Sequence, residues 1–209
     1  MNQRGFFIVF EGIDGSGKST QAQLLYDKLK SINNKVFLTS EPSDGEIGKF
    51  IRKILNGEKK TDYLTIAALF VADRLEHLNN EENGLKKLFD NGYTIICDRY
   101  YFSNFAYNSM HVNLDWLIEA NKICREILKP DMNIFIDVDA DESMNRLSKN
   151  RYGYELFEKK DILNTVRNNY FKTFDKLKET ENISIINGKQ TVEKIKAEVW
   201  NIIEQIWKY

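Results

Sequence analysis

The chain predicts an α/β fold in three layers, a five-stranded parallel sheet with helices on both faces. Three observations predict it. Short apolar runs alternate with helical periods along the whole length, as in a sheet whose crossovers are helices. The first apolar run leads into a glycine-rich loop and then a helix. No internal repeat and no Pro/Gly/Ser-rich linker divides the sequence, so residues 1–209 read as a single domain.

The elements follow in order. Phe6-Phe7-Ile8-Val9-Phe10 is an uninterrupted apolar run of strand length. Residues 18–31 form an amphipathic helix with Leu24, Leu25 and Leu29 on one face. A second strand covers 36–39, followed by a loop holding Glu41 and Pro42. Residues 47–55 are helical and closed by Asn56-Gly57. Residues 62–78 form the next helix, with Asp62 as N-cap. A helical stretch at 85–89 stops at Asn91-Gly92, and a third strand at 93–97 ends at Asp98. One helix is expected over 114–128, stopped near Pro130. The fourth strand is 133–138. Helices at 142–148 and 162–177 precede the fifth strand, 183–186. The last helix, 192–207, carries Trp200 and Trp207 on one apolar face directed at the sheet. Right-handed crossovers then place ligands at the carboxyl ends of the strands. That edge collects the glycine loop, Glu41, Asp98 and Arg99.

Composition narrows the function classes. A net charge of −1, with 29% charged residues, argues against a general binder of nucleic acid or of anionic membranes. Any anion site must be local. No apolar run reaches transmembrane length. Residues 1–5 lead straight into a core strand, which does not resemble a signal peptide. Cys97 and Cys124 are far apart and lack zinc-type spacing, so they read as reduced, buried thiols of a cytoplasmic protein.

Residues 12–19, Gly12-Ile13-Asp14-Gly15-Ser16-Gly17-Lys18-Ser19, fit G-x-x-x-x-G-K-[ST], the phosphate-binding P-loop. Strand, loop and helix start together aim backbone N–H groups at one point with the helix dipole behind them. Lys18 is placed to reach the outer phosphates, and the Ser19 hydroxyl to hold Mg²⁺. Asp98-Arg99-Tyr100 closes a strand where a second phosphate group should lie. Asp98 is a candidate for Mg²⁺, directly or through water. Arg99 is a candidate for the transferring or the acceptor phosphate. A structural Asp–Arg pair is the competing reading, disfavoured beside a P-loop.

Phe70 and Arg74, four apart on a helix, share a face and could stack on and hydrogen-bond a base. A core Phe beside a surface Arg fits the same spacing. Ser103, Asn104 and Tyr107 offer polar groups for a base edge and a sugar. Alternatively, Ser103 or Asn104 caps a helix start. Arg151 lies in a polar stretch between two helices. It suits either a lid arginine, meeting phosphoryl charge on closure, or an exposed loop. His77 and His111 have no nucleophile or ligand partner at useful spacing and read as structural or solvated.

With these residues in hand, the chain resembles the thymidylate kinases, within the P-loop nucleoside monophosphate kinase fold. The resemblance runs from Glu11 to Gln21, through Leu69 to Arg74, and most specifically from Ile96 to Asn108. It implies phosphoryl transfer from ATP–Mg²⁺ to dTMP, giving dTDP and ADP. It implies an ATP site of Gly12, Asp14, Gly15, Ser16, Gly17, Lys18, Ser19 and Thr20, with Arg146 stacked on adenine. For dTMP it implies Asp14 at the 3′-hydroxyl, Arg99 at the phosphate and Phe70 on the thymine face. Arg74, Ser103 and Asn104 would bond the base edge, Tyr107 would crowd the 2′ position, and Glu41 would join this set. Relatives with a P-loop arginine have it where this chain has Gly15, so a lid at about 150–159 should supply one, with Arg151 the candidate. The phosphate-loop arginine before Glu-Pro is Ser40 here, which leaves Arg52 as a substitute. The resemblance also implies a homodimer with the 62–78 helix near the contact.

A catalytically dead P-loop scaffold is disfavoured by the intact Lys18, Ser19, Asp98 and Arg99, and two alternatives remain at this level. One is a kinase for another nucleotide or for a deoxynucleoside. The other is a nucleotide switch, against which stands the absence of an Asn-Lys-x-Asp guanine motif.

Overall fold

The computed structural model describes residues 5–32, 35–148 and 155–207. Its centre is β1 (Phe7–Glu11), an all-buried strand. Around it lie β2 (Val36–Ser40), β3 (Thr94–Asp98), β4 (Met132–Asp137) and β5 (Ile183–Asn187). The order is β2-β3-β1-β4-β5, and every pairing is parallel. The order reverses beside β1, so the loop after β1 opens into the crevice where such sheets bind ligands.

Side chains alternate across each strand, and the core splits accordingly. Phe7 and Val9 of β1 join Ile95, Cys97 and Phe135 on one face. That face is covered by α3 (Tyr63–Asn79), α5 (Tyr101–Asn108) and α9 (Glu155–Leu177). Ile8 and Phe10 join Ile96, Ile134 and Ile136 on the other face, under α1 (Lys18–Ile32) and α10 (Val192–Trp207). Central strands buried on both sides explain why they read as continuous apolar runs. The remaining helices are α2 (Glu46–Leu55), α4 (Leu85–Asp90), α6 (Leu114–Ala120), α7 (Lys122–Ile127) and α8 (Ala140–Ser148).

All five strands fall within a residue or two of the expected positions. Asp62 caps α3 through a bond from Thr65 N at 2.9 Å. Two helix expectations need correction. The single helix over 114–128 is broken at Asn121 into α6 and α7. The Asn121 side chain donates to Leu117 O at 2.8 Å and accepts from Arg74. Backbone bonds from Asn121 N to Leu117 O at 3.2 Å and from Arg125 N to Asn121 O at 3.0 Å run through this single turn residue. The segment after Arg99 is helical from Tyr101, so neither Ser103 nor Asn104 is its cap. Trp200 is half-buried at the margin of its core, with Lys28 Nζ 3.3 Å above its ring. The side chain of Trp207 lies outside the described residues.

Candidate active site

The P-loop turns from β1 into α1 with Gly15 at φ +74° and Gly17 at φ +96°. A Cβ on Gly15 would lie 2.9 Å from Ser143 O and 3.0 Å from Leu147 Cγ of α8. The loop therefore needs glycine there for both conformation and space. Ser143 Oγ ties α8 to the loop by donating to Asp14 O at 2.5 Å. Arg146 donates to Ser16 O at 3.0 Å and to Gly188 O at 2.7 Å, and its Nε pairs with Glu142 at 2.7 Å. Arg146 borders a cavity of about 530 Å³ running from Gly15–Gln21 to Gln190, Thr191, Val192 and Ile195. Lys18 is buried at its floor, and burial is the main reason its ammonium falls from 10.5 to about 8. The Arg99 charge lowers it further, while Asp98, Asp14 and Glu11 oppose the drop.

Ser19 Oγ donates to Asp98 Oδ2, and Asp98 Oδ1 is buried with no hydrogen-bond partner. A hydroxyl beside a carboxylate with one orphaned oxygen is a donor set for a hard cation such as Mg²⁺, which also draws ligands from substrate phosphates and water. Among the described residues no cluster of three or more His, Cys, Asp or Glu side chains could hold a metal. Mg²⁺ would thus depend on the nucleotide for most of its ligands.

Arg99 stands at the carboxyl end of β3 with φ +73°, the one non-glycine residue in that region among those described. Its Nη1 donates to Gly12 O at 3.1 Å and Ser103 Oγ at 3.0 Å, and its Nη2 to Asp14 Oδ1 at 2.5 Å and the Tyr107 hydroxyl at 3.3 Å. Burial pulls this guanidinium down, but Tyr107, Tyr170, Asp14 and Glu11 leave it raised. Burial pushes the Tyr107 phenol up to about 12, so it stays neutral while accepting from Arg99.

A second cavity, of about 390 Å³, opens on the other side of Arg99. Asp14, Glu41, Phe70, Arg74, Arg99, Ser103, Asn104 and Tyr107 all line it, together with Ile66 and Asn108. Arg74 is almost wholly buried. Its Nη2 pairs with Glu41 Oε2 at 2.5 Å, its Nη1 donates to Asn121, and its Nε is a buried donor with no partner. Its guanidinium also lies 4.9 Å above the Tyr100 ring. Asn104 donates to Ala67 O at 3.4 Å and accepts from Asn108 at 3.0 Å.

The structure brings the expected acceptor residues together, with Arg52 the exception. Arg52 lies outside the cavity lining, donating to Pro42 O at 2.7 Å and pairing with Asp44 at 3.3 Å. It braces the loop that carries Glu41. Gly12, expected at the ATP site, instead presents its carbonyl to Arg99. Asp14 faces the second cavity, whereas Gly15, Ser16, Gly17, Lys18, Ser19 and Thr20 face the first. Arg151 and residues 150–154 of the expected lid lie outside the described residues, and α9 begins at Glu155.

The fold brings three further residues into the network around the site. His77 bonds Thr39 Oγ1 at 3.0 Å and approaches Glu41 Oε1 at 3.4 Å, in keeping with the structural role expected of it. Asn121 holds Arg74. Glu11, buried at the end of β1, joins the Arg99 network through Ser103. No local spacing signals these links, because they join residues remote in sequence.

The family model described as thymidylate kinase matches residues 10–199. The chain belongs to the thymidylate kinase family. Members are transferases of nucleotide biosynthesis that draw on ATP as phosphate donor. The probable thymidylate kinase of Methanococcus aeolicus is 41% identical over 197 residues, covering 92% of this chain and 93% of the relative. The probable thymidylate kinase of Pyrococcus horikoshii is 35% identical over 207 residues, covering 96% and 97%. The crystal structure of thymidylate kinase from Ehrlichia chaffeensis superimposes with a TM-score of 0.73 at 27% identity, covering 96% of this chain and 99% of that one. The three-layer, parallel-sheet expectation stands, and the protein is an enzyme of this family.

Proposed function

We propose that the enzyme transfers the γ-phosphoryl group of ATP to dTMP across the rim between the two cavities. One observation carries this reading. Asp14 and Arg99 line the smaller cavity, and the neighbouring Gly15 lines the larger together with Lys18, so two phosphate-bearing ligands would meet at the P-loop. Catalysis then rests on alignment and charge stabilisation, with no covalent enzyme intermediate.

The larger cavity takes ATP. The P-loop N–H groups and Lys18 hold its phosphates, and Arg146 meets the adenine. The smaller cavity takes dTMP. Phe70 stacks on the base, and Arg74, Ser103 and Asn104 read its edge. Asp14 bonds the sugar, Tyr107 closes its 2′ side, and Glu41 fixes Arg74. Arg99 grips the acceptor phosphate, displacing some of its present contacts. Ser19 and Asp98 would hold Mg²⁺, which when bound neutralises phosphate charge. A cytoplasmic location and a homodimer through the outer face of α3, where Leu64 and Ala68 are exposed, belong to the same reading. Light scattering tests the dimer.

A coupled ADP-release assay across dTMP, dUMP, UMP, dCMP and thymidine tests the substrate. Turnover should be highest with dTMP and vanish on chelating magnesium. A higher kcat/KM for any other acceptor overturns the assignment. The polar readers make a wrong base costly, because it leaves buried groups unpaired.

A further inference from the structure

Helix α5 carries Ser103, Asn104 and Tyr107, yet has no cap of its own. Its N-cap residue, Tyr100, makes no side-chain capping bond. The chain enters this helix directly from Arg99, whose positive φ is costly for a side chain of this size. Something outside the segment must hold both features in place.

The fully buried carboxylate of Glu11 does so from the neighbouring strand. Oε1 receives Tyr100 N at 2.9 Å and Ser103 N at 3.2 Å, while Oε2 receives Ser103 Oγ at 2.6 Å and the Tyr170 hydroxyl at 2.9 Å. The first two are free N–H groups at a helix start, the groups a local cap would satisfy. Ser103 Oγ also accepts from Arg99 Nη1 at 3.0 Å, and the Tyr170 hydroxyl lies 2.8 Å from it. The Arg99 carbonyl is held as well, accepting from Cys97 Sγ at 3.0 Å. Glu11 is thus bonded to the backbone one residue after Arg99 and to the hydroxyl that touches its guanidinium. Burial pushes the Glu11 carboxyl up, and the Ser103 bond, the Arg99 charge and the Tyr100 and Tyr170 bonds pull it back.

We infer that Glu11 is a positioning residue for phosphoryl transfer. Its carboxylate caps α5 from β1 and so fixes where the Arg99 guanidinium stands. A carboxylate suits this place because four donors converge on it, and its two oxygens offer about four lone-pair sites. An amide of the same shape has one oxygen and two N–H groups, so it must turn a hydroxyl around or lose a bond.

The inference rests on the proposed kinase reading, and the test separates the two. If the wild-type enzyme shows no dTMP-dependent turnover, the reading of function fails before Glu11 is tested. Otherwise, kcat, KM for dTMP and calorimetric dTMP affinity are measured for Glu11→Gln in the wild-type and Arg99→Ala backgrounds. Action through Arg99 predicts about a tenfold fall in kcat/KM for Glu11→Gln alone, the size of one charge-assisted hydrogen bond. It also predicts a fall below about threefold once Arg99 is absent, because the two changes share one path. An equal loss in both backgrounds overturns the inference in favour of a merely structural role, and no loss in either overturns it outright. If Glu11→Gln does not fold, Tyr170→Phe carries the same cycle. It removes one donor from Oε2, and its loss must likewise shrink in the Arg99→Ala background.

Discussion

In the proposed reaction Lys18, Arg99 and Phe70 would each meet a ligand in a different way. Lys18 is a desolvated ammonium, and its drop from 10.5 to about 8 corresponds to about 3 kcal/mol. Lys18→Ala and Arg99→Ala should each lower turnover by about 10²–10³-fold, the scale for one electrostatic donor. Steady-state kinetics with circular dichroism checks that the fold survives. ATP affinity should weaken as pH rises through about 8, where free Lys18 loses its proton, and calorimetry across pH 7–9.5 reads this. The stability contribution runs the other way. The folded-state value lies below the unfolded one, so the unfolded chain binds more protons between about 8 and 10.5, and this residue's penalty is relieved over that window. Phe70→Ala should raise KM for dTMP in line with a stacking term of about 1–3 kcal/mol, while KM for ATP stays unchanged. A change confined to ATP would overturn the base-site assignment.

Elements matter through the breaks and caps that let buried polar groups meet. Asn121 splits α6 from α7 and offers its side chain to Arg74, a guanidinium that also pairs with Glu41 behind the base pocket. Asn121→Ala removes an acceptor from a buried cation. It should cost about 1–3 kcal/mol in urea unfolding and raise KM for dTMP by loosening Arg74. A stable variant with unchanged KM would show that Glu41 alone orients the guanidinium. The strands and most helices were legible because periodicity and end signals act over a few residues. Asp62 as the cap of α3 and Asn56-Gly57 after α2 are examples. The α6–α7 break and the start of α5 were not legible. The buried groups that meet these segments, Arg74 and Glu11, lie 47 and 92 residues from their partners there.

In the whole molecule, parallel strand order brings one edge of the sheet to two cavities with a shared wall. Ligands that bind only the folded state should stabilise it, by about 2.7 kcal/mol at a hundredfold excess over Kd. A non-hydrolysable ATP analogue and dTMP should each raise the thermal midpoint, and both together should raise it further. Chelating magnesium should shrink the analogue's shift and spare that of dTMP. Equal loss of both shifts would place the cation outside the Ser19–Asp98 pair.

By itself the sequence determined the sheet, the phosphate loop and the residues from Ile96 to Asn108 that mark the family. Each is written in local spacing, which backbone geometry converts directly into position. Only the tertiary structure decided which side of the P-loop Asp14 and Gly15 each face, and that Arg52 braces a loop outside the pocket. It alone showed that Glu11 reaches across from β1 to hold the segment around Arg99. Those outcomes depend on buried donors finding acceptors across the core, and a partner chosen by proximity in space leaves no periodic trace along the chain.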